Sequence, residues 1–407
     1  MVLFILISFV ILNKILYKSY LNPIFLQSVL WSLYYFFLNL NIDLYDIRMS
    51  DIDKFVLIQS IGFSLGGFLC ILFTRRSAIY QRQPFNHNVS EITYKNLLLF
   101  YPYIVIIISL SVIMLLKEAN SLSIFSVGDL KEELIEDDGK KFGTFGLIQL
   151  LSSVYVVIFI ATQNAIKENK YKFIILLCTF IYFTLLLGSK GQFVFFFCST
   201  IYLLIWKNKI SKSQILIAVV FLIGFMLLVT LLRFGGDKDS ITSESILNIL
   251  IIYTITSLPG LQLFNAATPK VFGYYTFRIL YVWLNKLGFD FPVAPVLSEF
   301  TMTPLPTNVY SYIKPYYHDF GYTGVFLLPL MLGAIHNFFY FKANKGNLNY
   351  LILSAFLVYP LGMQIFEENY FRQFTNWIYV FIFIQFLTQV NFNANRRSHN
   401  HLQPAVE

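Results

Sequence analysis

The sequence has few charged residues for its length. Asp, Glu, Lys and Arg make up 13% of its 407 residues, whereas about a quarter of an ordinary soluble domain is charged. No polar stretch is long enough to bury a core of its own, which argues against a separate soluble domain. The net charge of +8 is accounted for by lysines and arginines in loops, so nucleic acid is not an expected partner.

Cysteine is also scarce, and its placement excludes two kinds of site. Cys70, Cys178 and Cys198 all lie inside apolar runs, which gives neither a disulfide framework nor a zinc ligand set. The sequence has no Walker loop either. We therefore expect no metal and no cofactor.

Apolar residues dominate what is present. The chain is 57% hydrophobic and 18% aromatic, with a mean hydropathy of +0.64. Runs of roughly 17 to 22 apolar residues recur along its length, which is the spacing that a bilayer requires. The sequence therefore predicts an all-α polytopic integral membrane protein. We predict about eleven transmembrane helices, near residues 3–17, 24–40, 55–73, 96–116, 145–162, 173–187, 193–206, 214–232, 322–341, 350–365 and 374–390.

These spans divide the chain into four parts. Residues 1–232 form the N-terminal membrane helices, about eight in number, and residues 322–390 form three C-terminal ones. Residues 233–321 form a large loop between them, and residues 391–407 form a cytoplasmic tail. No internal repeat is evident, which weighs against transporters built from inverted repeats.

Loop charge predicts which side each loop faces. Lysine and arginine mark cytoplasmic loops, and they cluster near residues 75–95, 167–172, 207–212, 342–345 and 396–397. The intervening loops near residues 43–53 and 132–138 are acidic. Because residues 207–212 and 342–345 are both inside, residues 233–321 must begin and end on the outer face.

Within this outer loop, residues 246–264 ("ILNILIIYTITSLPGLQLF") are apolar enough to enter the membrane. Because this loop begins and ends on the same face, it must cross the membrane an even number of times or not at all. The segment either dips and returns, broken at Pro259-Gly260, or pairs with a second short crossing near residues 275–284. We favour a re-entrant or interfacial pair that lines a cavity open to the outside.

Several cations break the positive-inside pattern. They lie on the predicted outer face, and they are Lys190, Arg233, Arg278 and Lys314. Each could extend to lipid headgroups or pair with a nearby acid. Cations at the membrane edge are also functional-site candidates, and arginine suits phosphate through its planar fork of donors.

The stretch "PTNVYSYIKPYYHDFG", residues 306–321, concentrates polar groups between apolar runs. Its clustered Asn308, Lys314, His318 and Asp319 favour a site over a purely interfacial role. Single tyrosines there fit an interfacial aromatic belt equally well. Glu299 adds an acid upstream.

A second ionic patch lies near the outer end of a late span. It contains Glu367, Glu368 and Arg372, and a structural network explains it as well as a site does. His336 falls within a span and is expected to hydrogen-bond a neighbour.

Two motifs carry a resemblance to a known family. The segment from Asn308 to Gly333 resembles the O-antigen polymerases, or Wzy-type oligosaccharide repeat unit polymerases, in which a similar stretch reads Asn-x-Tyr, an Arg-Pro-type element and Tyr-x-Asp-Phe-Gly. The matching positions are Asn308, Tyr310, Pro315, Tyr317, Asp319, Phe320 and Gly321. The turn "GSKGQ" resembles the family's Gly-Ser-Arg-Gly-like turns. Lys190 and Lys314 stand where arginine is common, so the charge remains but the bidentate fork is lost.

The resemblance implies a GT-C-like membrane glycosyltransferase without a metal, acting outside the bacterial cytoplasmic membrane in O-antigen or capsule synthesis. Such an enzyme transfers a glycan from undecaprenyl pyrophosphate to another lipid-linked repeat unit. Expected partners are these lipid-linked oligosaccharides, membrane lipid, a chain-length regulator and a flippase. Asp319 is the first candidate for the catalytic base, followed by His318 and Glu299. The substrate-binding candidates are Lys190, Arg233, Arg278, Lys314, Asn308, Tyr310 and Tyr317.

Two alternatives remain open. A lipid-linked oligosaccharide flippase would need a polar path to both leaflets, whereas the polar residues here concentrate on one face. An O-antigen ligase shares the general plan and the large outer loop, so the sequence separates it poorly.

Overall fold

The structure, a computed structural model, describes most of the chain. The described residues are 1–45, 47–72, 87–118, 140–162, 165–188, 190–234, 255–263, 271–295, 298–303 and 305–391.

Within these residues the chain is mainly helical. Before the large loop, the longer helices are α1 (Val2–Tyr17), α2 (Pro23–Leu40), α3 (Met49–Leu72), α4 (His87–Glu118), α5 (Lys140–Ala161), α6 (Lys170–Leu186), α7 (Lys190–Trp206) and α8 (Lys212–Phe234). In and after that loop they are α9 (Ser257–Leu263), α10 (Arg278–Lys286), α11 (Ile313–Asn344), α12 (Leu348–Gly362) and α13 (Phe374–Gln389).

Each predicted span coincides with one of these helices, and several helices extend further into the loops than predicted. Among the described residues, six helices are long and apolar enough to cross a membrane. They are Pro23–Leu40, Met49–Leu72, Val89–Lys117, Gly143–Ala161, Ile313–Asn344 and Leu348–Ile365. The prediction of a multi-pass helical membrane protein is thus confirmed, whereas the number eleven stays a prediction.

The described part of the predicted re-entrant segment differs from the expected broken helix. Helix α9 continues through Pro259 and Gly260. Pro259 lies in its first turn, where proline is tolerated because the missing N–H has no intrahelical partner. Residues 246–254 and 264 lie outside the described residues. The alternative second crossing near residues 275–284 is a helix of 9 residues, about 14 Å long, which is too short to span the roughly 30 Å bilayer core.

A short antiparallel hairpin lies in the large loop and departs from the all-α prediction. Strands β1 (Thr301–Thr303) and β2 (Leu305–Thr307) pair with Thr301 opposite Thr307. Three-residue strands are too short to show the alternation of apolar and polar residues on which strand prediction depends.

One compact unit combines Met1–Gln83, Phe234–Lys345 and Leu353–Thr375. Its most extensive helix contact joins α3 to α11. Glycines make this contact close: a Cβ on Gly66 would lie 1.9 Å from the Leu330 carbonyl oxygen, and one on Gly333 would lie 2.0 Å from the Phe63 oxygen. Small residues that let backbones approach are a common basis of helix association in membranes.

Buried amide side chains join the same helices to α2. The Asn22 Nδ2 donates to the Asn337 Oδ1 at 3.1 Å. The Gln59 Oε1 accepts from the Gln27 Nε2 and from the Tyr312 hydroxyl, both at 2.8 Å. Because these polar atoms are paired, their burial does not carry the penalty of unsatisfied groups.

Helix α11 is interrupted at Gly321, which has φ 60° and ψ −152°. This backbone conformation is essentially restricted to glycine. The interruption separates a first half, Ile313 to Phe320, from the apolar second half that begins at Tyr322, where the sequence predicts the start of the span.

The other compact unit combines Pro84–Arg233, Gly346–Ile352 and Asn376–Glu407. Helices α4, α5 and α6 pack on one another, and α7 packs on α5. The Asn96 Nδ2 in α4 donates to the carbonyl oxygens of Leu387 at 2.9 Å and Val390 at 2.7 Å. These units follow packing, whereas the predicted four-part division follows the sides of the membrane and stays a prediction.

We expect Gly66→Ala to destabilise the protein, although alanine normally favours a helix over glycine by about 1 kcal/mol. The added Cβ would meet the Leu330 backbone, and overpacking of this kind costs about 1–3 kcal/mol. Gly224→Ala is the matched control, since a Cβ on Gly224 in α8 would meet nothing within 4 Å. The apparent melting temperature of the purified full chain in detergent should fall for Gly66→Ala and stay or rise for Gly224→Ala. An unchanged value for Gly66→Ala would contradict the close α3–α11 contact.

Candidate functional site

Most of the predicted site residues lie in the first compact unit. Four of them share the first half of α11, two lie in the connection after β2, one precedes β1 and one begins α10. They are Lys314, Tyr317, His318, Asp319, Asn308, Tyr310, Glu299 and Arg278.

The other two predicted cations belong to the second compact unit. Lys190 is the first residue of α7, and Arg233 lies near the end of α8, where its side chain is outside the described part of the chain. Their participation in one site with Lys314 therefore stays a prediction.

Asp319 holds the backbone of the loop that precedes α10. Its Oδ2 accepts hydrogen bonds from the backbone N–H of Thr276 at 2.7 Å and Tyr275 at 3.1 Å, and its Oδ1 lies 3.1 Å from the same Tyr275 nitrogen. Hydrogen bonds to an ionised acceptor are roughly twice as strong as neutral ones. The carboxylate thus acts in this structure as an anchor of residues 275–276.

The anchored loop leads directly into Arg278. Gly273, at φ +65°, permits the turn, and Phe277 packs against Phe320 of α11, with ring centroids 6.1 Å apart. The Arg278 Nε donates to the Ala294 carbonyl oxygen at 2.7 Å. Partial burial lowers the pKa of Arg278, and the positive charge of Arg372 lowers it further.

Lys314 is buried, with 6% of its surface exposed. Its Nζ donates to the Ser298 hydroxyl at 2.7 Å and lies 3.9 Å from the centre of the Tyr310 ring. The charges of Glu299 and Arg372 both act on this ammonium group. Burial disfavours this charge, and the polar and aromatic contacts offset part of that cost.

Tyr310 supports the position of Lys314. Its hydroxyl donates to the Glu299 carbonyl oxygen at 2.7 Å and is 2.5 Å from the Thr301 Oγ1. Burial raises the pKa of Tyr310, and the charge of Glu299 raises it further. With 4% of its surface exposed, the ring packs within the protein and holds Lys314 next to the hairpin.

Glu299 differs from Asp319 in being exposed. Its charge acts on Lys314. The pKa of Tyr275 is raised mainly by partial burial, and the charges of Tyr274, Asp319 and Glu299 raise it further. An exposed carboxylate next to a buried cation can accept a proton from a bound hydroxyl group.

His318 and Tyr317 lie further along the same half-helix. His318 follows Lys314 by four residues, which places the two on one helix face, and its ring centroid is 5.9 Å from that of Tyr275. Tyr317 packs against Phe55 of α3, with centroids 4.8 Å apart. Asn308 is half-buried after the hairpin.

The ionic patch that the sequence left undecided contains a buried acid. Glu368 has 7% of its surface exposed and accepts from the backbone N–H groups of Tyr370, Phe371 and Arg372 at 2.7–2.9 Å. Burial raises the pKa of Glu368, and these hydrogen bonds lower it in part. His336, as expected, hydrogen-bonds a neighbour, with its Nε2 3.0 Å from the Tyr370 hydroxyl.

The first unit therefore brings cations from three chain segments near one another. The charge of Arg372 acts on both Arg278 and Lys314, and the exposed acid Glu299 acts on Lys314. Among the described residues, no carboxylate lies within ion-pair distance of the Arg278 guanidinium. Such an arrangement can bind a multiply charged anion such as a phosphate or pyrophosphate.

Comparison with known proteins gives a match at low sequence identity. An O-antigen polymerase of Shigella dysenteriae is 26% identical over 251 residues, which are 60% of this chain and 62% of that protein. The match therefore spans about three fifths of the length of that relative. No family model matches the chain, and no solved structure matches it. The resemblance to an O-antigen polymerase that the sequence motifs indicated is confirmed by this match.

Proposed function

We propose that this chain is a membrane glycosyltransferase that polymerises oligosaccharide repeat units carried on undecaprenyl pyrophosphate. The observation that carries the proposal is that Lys314 and Arg278 both lie within the electrostatic reach of Arg372, with the exposed Glu299 near Lys314. The similarity to an O-antigen polymerase supports the same class of reaction. Loop charge favours placing the site on the outer face of the cytoplasmic membrane.

The reaction requires charge stabilisation at the leaving group. A hydroxyl group of the acceptor repeat unit attacks the anomeric carbon of the donor glycan and forms the new glycosidic bond. The bond from that carbon to the pyrophosphate oxygen breaks, and undecaprenyl pyrophosphate departs with the electron pair. Lys314 and Arg278 are suited to stabilise this charge because their cationic groups are fixed in place before the reaction. Lys190 and Arg233 are further candidates for the same role.

The acceptor hydroxyl must lose its proton during the attack. Asp319 already accepts backbone hydrogen bonds with both oxygens, so we assign it to positioning and assign the proton acceptor to Glu299. His318, on the face of α11 that carries Lys314, is the second choice. Asn308 and Tyr317, both half-buried, remain the candidates for glycan contacts, since amides and aromatic faces suit sugars.

The lipid part of the substrate needs an apolar surface near the same loop. Phe272, Leu287 and Phe289, which flank α10, are largely exposed. Exposed apolar side chains grouped on a loop commonly mark a membrane or ligand contact. They support a position of this loop at the membrane surface, within reach of a lipid-linked substrate.

Deletion of the gene, read by a glycan gel, tests the reaction class. A product that carries a single repeat unit and no ladder is expected for a polymerase. If no repeat unit is attached at all, the chain is a ligase or a flippase and the proposal fails.

We expect Arg278→Ala to abolish the ladder while single repeat units persist, because the leaving group loses a fixed cation. Arg233→Ala should do the same if it serves the same anion. Lys286→Ala is the control, since Lys286 is an exposed cation at the other end of α10. Glycan gels at matched protein levels provide the measurement, and normal ladders from both arginine variants would refute the role of these cations.

We expect Glu299→Gln to lose polymerisation by about a hundredfold or more, which is the usual contribution of a general base. Asp290→Asn is the control, because Asp290 is an exposed acid in the same loop. The initial rate of chain extension by the purified enzyme should show the difference. A rate for Glu299→Gln that equals the control would transfer the base role to His318 or Asp319.

A further inference from the structure

The turn before α13 contains a carboxylate in an unusual setting. Glu368 is almost fully buried, and burying a charge is costly unless it is well hydrogen-bonded. Its Oε1 accepts from the backbone N–H of Tyr370 and Phe371, and its Oε2 accepts from that of Arg372 at 2.8 Å. The Tyr316 hydroxyl of α11 donates to Oε1 at 3.1 Å. The side chain therefore fixes the backbone of residues 370–372 against α11.

This fixed backbone lies next to the loop that carries Arg278. The Phe371 ring meets the Phe277 ring edge to face, with centroids 5.5 Å apart, and lies 6.1 Å from the Tyr316 ring. Arg372 directly follows Phe371, and Arg278 directly follows Phe277. The aromatic contact therefore brings the backbones of the two arginines close together.

The Arg372 side chain is partly exposed and takes part in an ion pair. Its Nη1 donates to the Glu367 Oε2 at 2.8 Å, and the two side chains are 41% and 39% exposed. Exposed ion pairs of this kind contribute little stability, so a more highly charged anion can replace Glu367. The charge of Arg372 already acts on both Lys314 and Arg278.

A purely structural ion-pair network would use these groups differently. A buried carboxylate followed four residues later by arginine could bind the guanidinium directly. Glu368 instead binds backbone N–H groups and leaves the Arg372 guanidinium at the surface. Holding like charges together opposes folding, and the exposed Glu367 and Glu299 offset the cations only in part.

We propose that Arg372 is a third anion-binding cation of this site, directed at the pyrophosphate of the substrate, and that the buried Glu368 is its positioning residue. The inference rests on the proposed function, because the anion is the leaving group of that reaction. It extends the site to a chain segment that the sequence motifs do not include.

Titration of the purified full chain in detergent with inorganic pyrophosphate, followed by calorimetry, tests the role of Arg372. Arg372→Ala should weaken binding about ten- to a hundredfold, as expected for a lost hydrogen bond between charged groups. The affinity of Arg372→Lys for pyrophosphate should fall between those of the unaltered chain and Arg372→Ala, because lysine keeps the charge but not the planar fork of donors. Lys286→Ala should bind within about twofold of the unaltered chain, since it removes an exposed charge elsewhere. Glu367→Gln should bind equally well or more tightly.

A double-mutant cycle separates positioning from simple stabilisation by Glu368. Glu368→Gln should weaken pyrophosphate binding in the unaltered chain and change it little in the Arg372→Ala background. Its effect on the melting temperature should be similar in both backgrounds. Equal losses of affinity in both backgrounds would show that Glu368 acts only on stability and would refute positioning.

The two proposals fail in different ways. If Arg278→Ala and Lys314→Ala abolish binding but Arg372→Ala does not, the extension to Arg372 is wrong and the proposed site stands. If none of the three variants changes pyrophosphate binding or the glycan ladder, the proposed function itself is wrong.

Discussion

The candidate site depends on hydrogen bonds from backbone N–H groups to two carboxylates. Asp319 holds residues 275–276, and Glu368 holds residues 370–372. Each anchored segment leads into an arginine, and the charge of Arg372 acts on both Arg278 and Lys314. Repulsion between these like charges opposes their approach, and the held backbones counteract it. Hydrogen bonds to ionised acceptors are stronger than those between neutral groups. Asp319 and Glu368 both use their oxygens to hold backbone segments in this way.

The anchors are effective because they attach to a rigid helix pair. Helices α3 and α11 approach closely through Gly66 and Gly333, so α11 has little freedom to shift. The interruption at Gly321 then redirects the first half of α11, which carries Lys314 and Asp319, away from the axis of the apolar half. Packing in the apolar region therefore sets the position of polar groups at its end. This coupling explains why a continuous stretch of sequence holds both a span and a site.

The sequence predicted the helices well because a bilayer imposes a length and a composition that are visible locally. The predicted span start at Tyr322 coincides with the residue after the interruption of α11 at Gly321, whereas the site around Lys314 stays a prediction. The sequence did not reveal contacts between residues that are distant in the sequence. Nothing near Asp319 indicates that its oxygens bind the backbone of residues 275–276, and its choice as the first base candidate, which came from the motif resemblance, stays a prediction. Likewise, the sequence left the patch of Glu367, Glu368 and Arg372 open between a structural network and a site, and the burial of Glu368 is visible only in the fold. Pro259 lies in the first turn of α9, where proline is compatible with a helix.

Lys314 stands where the resembling family commonly has arginine, and the surroundings of Lys314 fit this difference. The ammonium of Lys314 is a compact point charge without a planar fork. Here that charge is buried between the Ser298 hydroxyl and the Tyr310 ring. Arg278 and Arg372 lie at the edges of the same cluster and are more exposed. The buried lysine would then supply charge, while the two arginines supply directional donors. Without a guanidinium at position 314, the site therefore keeps two residues that can bind an anion through paired hydrogen bonds.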